Sequence, residues 1–137
     1  TLKNTLKNIR TAYRAAAANK GANFLDLALS EHSYLNKNAL IKAALEGKDA
    51  VADLISSDGY GDAGAFIKES YSQFEVYADN KVSETAKNSI YTSFGVEPLI
   101  AYLFKVMTEV KNIRIILTAK ANKIDEGEIR ARMRALV

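Results

Sequence analysis

The chain has 137 residues, a net charge of +3 and no cysteine. A chain of this length can bury about 68% of its unfolded surface, so a hydrophobic core is possible without covalent links. The lack of cysteine excludes disulfides and thiolate metal sites, and it gives no indication of an oxidising compartment, which favours the cytosol. No membrane span is predicted, because Lys105 and Arg114 interrupt the most apolar runs well short of the roughly 18 apolar residues required.

Basic residues are concentrated towards both ends of the chain. Residues 1–21 carry five basic and no acidic side chains, and residues 99–137 carry eight basic and four acidic ones. The segment between them carries six basic and twelve acidic side chains. A basic patch for nucleic acid is conceivable, but no recognition motif accompanies it. We therefore expect the opposite charges to face each other or solvent, with no nucleic-acid partner.

The first half of the chain has the apolar spacing of helices. Over residues 2–17 the apolar positions are spaced by four and three residues, which predicts one amphipathic helix with Gly21 as its left-handed stop. A short apolar segment follows at 23–30, and Asn36 is placed to cap a helix that ends at Gly47. A further short helix is predicted from Asp49 to Ile55, and the glycine-rich run 56–64 is predicted to be a loop.

The second half gives the strongest periodic signal. A long helix is predicted from Ala63 to about Thr92, with a possible break at 79–80. Pro98 and Glu97 suit the first turn of a helix over 98–121. Its apolar positions recur at spacings of four and three: Leu99, Leu103, Val106, Val110, Ile113 and Leu117. Asp125 and Glu128 form a capping box for a last helix, 126–136. No segment alternates like a strand, so an all-α fold of helical hairpins packed as a bundle is predicted.

One motif occurs twice, 104 positions apart. Residues 6–15 read LKNIRTAYRA and residues 110–119 read VKNIRIILTA. In both places an alanine-containing stretch, a polar break and a second short apolar segment follow. We therefore expect a single helical fragment, 1–137, in which duplicated hairpins, 2–30 and 98–136, flank a helical insert, 31–97.

The repeated motif contains Asn8 and Arg10 in its first copy and Asn112 and Arg114 in its second. On a helix each pair lies about 100° to either side of the intervening isoleucine, so the pair cannot converge on one small ligand. The asparagine amides are expected to satisfy backbone groups on a neighbouring element, and the guanidinium groups to hold carboxylates or carbonyls. This interpretation makes the motif structural, and Arg114→Ala is expected to destabilise the fragment.

Enzyme motifs are weak. Residues 59–64 spell G-x-G-x-x-G, but a helical pattern precedes them where a dinucleotide fold requires a strand. His32 is the only histidine, and no catalytic or metal-binding group can be assembled around it. No catalytic residue, cofactor or metal is expected.

The segments FGVEPLIAYL, EVKNIRIIL, AKANKI and EIRARMRAL resemble the C-terminal signature of the C subunit of the archaeal and bacterial V-type (A-type) rotary ATPase, the relative of the eukaryotic d subunit. The similarity is strongest from Tyr91 onward, and NIRTAYRA resembles an earlier copy of the same helix. Val106 and Met107 stand where family members usually carry a Lys-Glu pair, which makes this helix face more apolar.

This resemblance implies part of a funnel-shaped subunit with three similar helical domains. It implies a non-catalytic role that links the D and F subunits of the central stalk to the membrane proteolipid ring and transmits torque. The protein would then be cytoplasmic and peripheral, attached to the membrane through the ring, with either protons or sodium as the coupled ion. A generic helical interaction module of another assembly is the alternative.

Overall fold

A computed structural model describes residues 2–89 and 95–135. These residues form eight α-helices and no strand, which confirms the all-α prediction. The helices are α1 (Leu2–Ala17), α2 (Ala22–Ala28), α3 (Lys37–Glu46), α4 (Lys48–Ser57), α5 (Gly61–Glu69), α6 (Tyr71–Ser89), α7 (Glu97–Ala121) and α8 (Glu126–Arg132). Tyr91, Thr92, Phe94 and Leu136, which bound several of the sequence predictions, lie outside the described residues.

The chain divides into two compact units, Thr1–Phe74 and Glu75–Val137. The boundary lies inside the predicted insert 31–97, with α3, α4 and α5 in the first unit and most of α6 in the second. Each unit has its own set of packed helices, and the boundary falls within α6.

The first unit is built around α1. Leu6 and Ile9 from the predicted stripe are buried, and α1 packs against α2, α3 and α4. Asn36 caps α3 as predicted, since its side chain accepts hydrogen bonds from the backbone N–H groups of Asn38 and Ala39. Large aliphatic and aromatic side chains from the other helices of this unit are also fully buried: Leu25, Leu40, Val51, Ile55, Ile67 and Phe74.

Helices α4 and α5 approach each other closely at Gly64. A Cβ atom at this position would overlap Ser56 Oγ and lie 2.9 Å from the carbonyl oxygen of Ala52. Lys68 of α5 donates to Asp53 of α4 at 2.6 Å, and this hydrogen bond and charge raise the pKa of the Lys68 ammonium above its ordinary value. The absence of a side chain at Gly64 therefore sets the distance between the two helices.

The second unit contains α7 and α8, with α6 beside them. Ser83 of α6 and Thr108 of α7 are buried and lie 3.4 Å apart through their hydroxyl oxygens. Pro98 lies in the first turn of α7, as predicted. The residues of α7 that are buried are small or polar: Ala101, Thr108, Asn112 and Ala119.

Several predicted boundaries are wrong. The loop predicted over 56–64 is shorter, because α4 continues through Ser57 and α5 already begins at Gly61. The long helix is interrupted at Ser70, which is extended, and it runs unbroken through 79–80. The left-handed residue after α1 is Asn19, with φ 49°, and not Gly21. Asparagine tolerates this conformation, and Gly21 is instead the extended residue that precedes α2, with φ −76° and ψ 168°.

The last helix also ends earlier than predicted, at Arg132 and not at 136. Met133 is extended, with φ −69° and ψ 149°, so the backbone leaves the helix there. The next residue, Arg134, donates its N–H to the side chain of Asn112 in α7. A tertiary hydrogen bond therefore replaces the helical continuation.

Candidate functional site

The first copy of the repeated motif fixes the chain that follows α2. The side-chain amide of Asn8, which is 1% exposed, donates from Nδ2 to the carbonyl oxygen of Ser30 at 2.7 Å. Its Oδ1 accepts from the backbone N–H of the same residue at 2.9 Å. One side chain thus satisfies both backbone groups of Ser30, which lies just beyond the helix end. We call this arrangement the first amide tie.

Two further side chains of α1 hold the irregular segment that follows Ser30. Asn4 donates to the carbonyl oxygen of His32 at 3.1 Å, and Thr5 Oγ1 accepts from the N–H of Tyr34 at 2.8 Å. Because this segment is not helical, its backbone groups lack the hydrogen bonds that a helix would provide, and buried backbone groups need other partners. Asn4 and Thr5 therefore supply partners for two backbone groups of this segment.

The second copy makes the same pair of bonds. Asn112, which is 4% exposed, donates from Nδ2 to the carbonyl oxygen of Arg134 at 2.9 Å. Its Oδ1 accepts from the N–H of Arg134 at 2.8 Å. In both copies the amide binds the residue 22 positions further along the chain. This is the second amide tie.

The two hairpins also correspond elsewhere at the same offset of 104 residues. The left-handed residues between the helices are Asn19 and Lys123, with φ 49° and 56°. The next residue closes the turn in both, by a hydrogen bond from Lys20 to Ala15 and from Ile124 to Ala119. The short second helices, α2 and α8, have seven residues each, and their bounds also differ by 104.

The second tie is reinforced by charge. Arg134, whose side chain is 8% exposed, donates from Nε to Asp79 of α6 at 2.7 Å, and Lys111 of α7 pairs with the same carboxylate. The next amide, that of Ala135, donates to Oδ1 of Asn80 at 2.8 Å. Residues 134 and 135 are thereby held from both α6 and α7, so this terminal segment is fixed to the two helices.

The remaining motif residues have separate positions. Arg10 is half-buried on α1, whereas Arg114 is exposed on α7 and makes no hydrogen bond or ion pair with the residues that the structure describes. Residues 2–89 and 95–135 thus supply no carboxylate or carbonyl partner for Arg114, and its expected hold on a neighbouring element stays a prediction. The two arginines differ because α1 is covered on a side where α7 is exposed.

The helix-start residues act locally. Asp125 caps α8 by accepting from the N–H of Gly127 at 2.9 Å. Glu128 pairs with Arg132 one turn further on, and no bond from the Asp125 backbone to Glu128 is described, so the cap is one-sided rather than a reciprocal box. Glu97 lies with Pro98 in the first turn of α7, where an acidic side chain complements the helix dipole. None of these residues approaches the two amide ties through a described contact.

The motifs that suggested an enzyme have helical surroundings. Gly59 has φ +85° in the turn after α4, and Gly61 begins α5, so a helix precedes the glycine-rich run. His32 is exposed. Within residues 2–89 and 95–135 no three histidine or acidic side chains are grouped to hold a metal ion. Over the same residues no helix has both the length and the apolarity needed to cross a bilayer.

Sequence reasoning identified Asn8 and Asn112 through their repetition, but it did not identify their partners. It also missed Asp79 and Arg134, which carry no repeat signal and are 55 positions apart. An arginine and a carboxylate so distant in the sequence give no pattern that periodicity detects. Only their packing beside Asn112 shows that they belong together.

Within residues 2–89 and 95–135, the eight helices and the two matching ties define an all-helical fold in which side-chain amides fix the ends of helical hairpins. Over residues 5–132 the chain matches the family described as ATP synthase (C/AC39) subunit, and it belongs to that family. The resemblance found in the sequence is thereby confirmed. The C subunit of the A-type ATP synthase of Methanothermobacter thermautotrophicus is 25% identical over 125 residues, which cover 84% of this chain and 32% of the relative. The chain thus spans about a third of the length of this curated relative. No solved structure is significantly similar to it.

Proposed function

We propose that this chain belongs to a non-catalytic central-stalk subunit of a V/A-type rotary ATPase. In this role it links the rotating shaft, formed by the D and F subunits, to the proteolipid ring on the cytoplasmic face of the membrane, and it transmits torque between them. The observation that carries the proposal is the family match, which extends over residues 5–132. The subunit itself performs no chemistry and requires no cofactor.

The amide ties support a mechanical role. A component that transmits torque must not bend, and closely packed interiors transmit strain efficiently. In each hairpin a buried asparagine holds both backbone groups of one residue beyond the short second helix. Two hydrogen bonds from one planar amide fix position and orientation together, so the two helices of a hairpin are held at a defined angle.

The common geometry also supports a duplication. We propose that the hairpins 2–30 and 98–136 are copies of one structural unit within a funnel-shaped subunit of similar helical domains. The supporting facts are the shared offset of 104 residues in the two ties, the two left-handed residues and the bounds of α2 and α8. Repetition of a stiff element suits a component that is loaded evenly as it rotates.

The decisive experiment measures binding to the two sectors separately. The purified chain, immobilised through a terminal tag, is incubated with the D–F shaft complex or with detergent-solubilised proteolipid ring. We expect retention of at least one sector at physiological salt. An unrelated helical bundle of the same net charge serves as the control, because weak electrostatic adsorption is lost with rising salt. Retention of neither sector would contradict the proposal and favour a helical module of another assembly.

The mechanical aspect of the proposal has its own test. In a reconstituted ATPase that contains the family-length subunit, breaking the ties with the Asn8→Ala and Asn112→Ala substitutions should leave ATP hydrolysis intact and reduce ion transport per ATP. The matched control is Asn4→Ala, which removes one hydrogen bond to a more exposed segment. Equal coupling ratios in the tie variants and the control would refute a torsional role for the ties.

A further inference from the structure

The apolar stripe predicted on α7 is present, but it does not face the core. Five of its six side chains are more than half exposed, and Val106 is half-buried. We call the six residues Leu99, Leu103, Val106, Val110, Ile113 and Leu117 the α7 stripe. At 100° per residue they form a narrow band about 180° from the buried residues Ala101, Thr108, Asn112 and Ala119. Exposed apolar bands of this extent mark binding surfaces in soluble proteins.

The first hairpin shows what the same face looks like when it is covered. Val110 and Ile113 correspond to Leu6 and Ile9 at the offset of 104. Leu6 and Ile9 are 3% and 0% exposed, whereas Val110 and Ile113 are 51% and 57% exposed. The two faces lie beside Asn8 and Asn112, which make the same pair of hydrogen bonds. The difference therefore lies in the covering layer and not in the hairpin itself.

The covering layer of α1 is formed by α3 and α4. These are two ten-residue helices joined at Gly47, and their buried side chains are small or aliphatic: Leu40, Ala43, Ala44, Val51, Ala52 and Ile55. The α7 stripe is apolar like the covered face of α1, since it has leucine, isoleucine and valine at the positions that would meet such helices. Arg114 borders the stripe and is exposed, while its counterpart Arg10, beside the covered face, is half-buried.

We propose that the α7 stripe is the docking surface for a second pair of short helices of the α3–α4 kind, contributed by the remainder of a family-length subunit. The chain spans about a third of the curated relative, so most of such a subunit lies outside it. The docking pair presents a leucine- and alanine-rich face to Val110 and Ile113. This inference rests on family membership and on the internal comparison, so it can fail while the coupling role stands.

The lack of cysteine makes the test direct, since an introduced cysteine is the only thiol in the chain. The thiol of Val110→Cys reports on the stripe, and that of Lys105→Cys, exposed on α7 away from it, is the matched control. Each variant is prepared as residues 1–137 and as the same chain with a second copy of residues 34–74 appended after Val137. Because position 34 corresponds to position 138 at the offset of 104, the appended copy carries α3 and α4 in the register that they have after α1.

The rate of maleimide labelling is then measured. In the appended form Val110→Cys should react roughly tenfold or more slowly than in residues 1–137, as expected when a site is reached only through local opening. Lys105→Cys should react equally fast in both forms. A Leu40→Asp substitution in the appended copy alone should restore the fast reaction, which shows that apolar docking causes the protection.

Two results would overturn the proposal. Equal labelling of Val110→Cys with and without the appended helices would show that the stripe does not accept this kind of layer. Slow labelling of residues 1–137 alone, becoming faster on dilution, would show that a second copy of the chain covers the stripe. Neither result depends on binding to the shaft or ring, so a failure here is distinguishable from a failure of the proposed function.

Discussion

Removal of the first amide tie is the most direct perturbation of the fold. Asn8→Ala deletes two hydrogen bonds, of 2.7 and 2.9 Å, and leaves both backbone groups of Ser30 without their partner. Each neutral hydrogen bond contributes about 0.5–1.5 kcal/mol net, and a stranded buried group costs about 1–3 kcal/mol. Ser30 is half-buried, so water relieves part of that cost.

The substitution also stabilises α1 itself. Alanine is a better residue than asparagine inside a helix, by up to about 0.7 kcal/mol. The two lost bonds and the partly stranded groups together cost about 2–3 kcal/mol. The expected net loss in the free energy of unfolding is therefore about 2 kcal/mol. Asn112→Ala should also cost about 2 kcal/mol, because it deletes the same pair of bonds to one backbone residue, at 2.9 and 2.8 Å.

The assay is urea unfolding followed by far-ultraviolet circular dichroism, with hydrogen exchange of the Ser30 amide to localise the effect. Asn4→Ala is the matched control on the same helix, since it removes one longer bond to His32 and should cost less than about 1 kcal/mol. Equal losses for Asn8→Ala and Asn4→Ala, or unchanged exchange at Ser30, would refute the assignment of the tie as a structural anchor.

Three further substitutions test other regions of the structure. Gly64→Ala should destabilise the protein by about 1–3 kcal/mol in urea unfolding, because its Cβ meets the backbone of α4. Gly61→Ala, with open space around it, should be neutral or stabilising. Similar urea midpoints for the two variants would contradict the close contact at Gly64. Asp79→Asn weakens the ion pair with the buried side chain of Arg134 and should lower the free energy of unfolding by about 1–3 kcal/mol. Hydrogen exchange of the Arg134 amide should become faster. Unchanged exchange would show that the charge does not hold the terminal segment. Arg114→Ala, at an exposed position, should alter stability by less than about 0.5 kcal/mol, and a larger thermal shift would indicate a contact within this chain.

The helices were predictable because helix formation depends on residues close in sequence. The bounds of α1 were predicted correctly, and α7 began within one residue of the predicted start. Asn36 and Asp125 were identified as caps from residue type and position alone. A cap bond joins a side chain to backbone groups two or three residues away, so no tertiary information is needed to find it.

The errors arose where distant residues compete with local preference. The glycine-rich run predicted a loop at 56–64, but Gly64 lies within α5, at a point where α4 packs too closely for a side chain. The last helix was predicted to continue to 136, but the chain leaves the helix after Arg132, and Arg134 binds Asn112 and Asp79. In both places a contact made across the fold outweighs the pattern along the chain.

The sequence by itself determined where the helices lie, which motif is repeated and which family the chain resembles, because periodicity, caps and signature residues are all read along the chain. Only the tertiary structure decided the partners of Asn8 and Asn112 and the face on which α7 is buried. Helix α7 packs through its alanines and through Asn112, because small side chains allow close approach and the amide gains two backbone hydrogen bonds. The leucines and valines of its stripe are thereby directed outward, since a helix cannot turn both faces to the same neighbour.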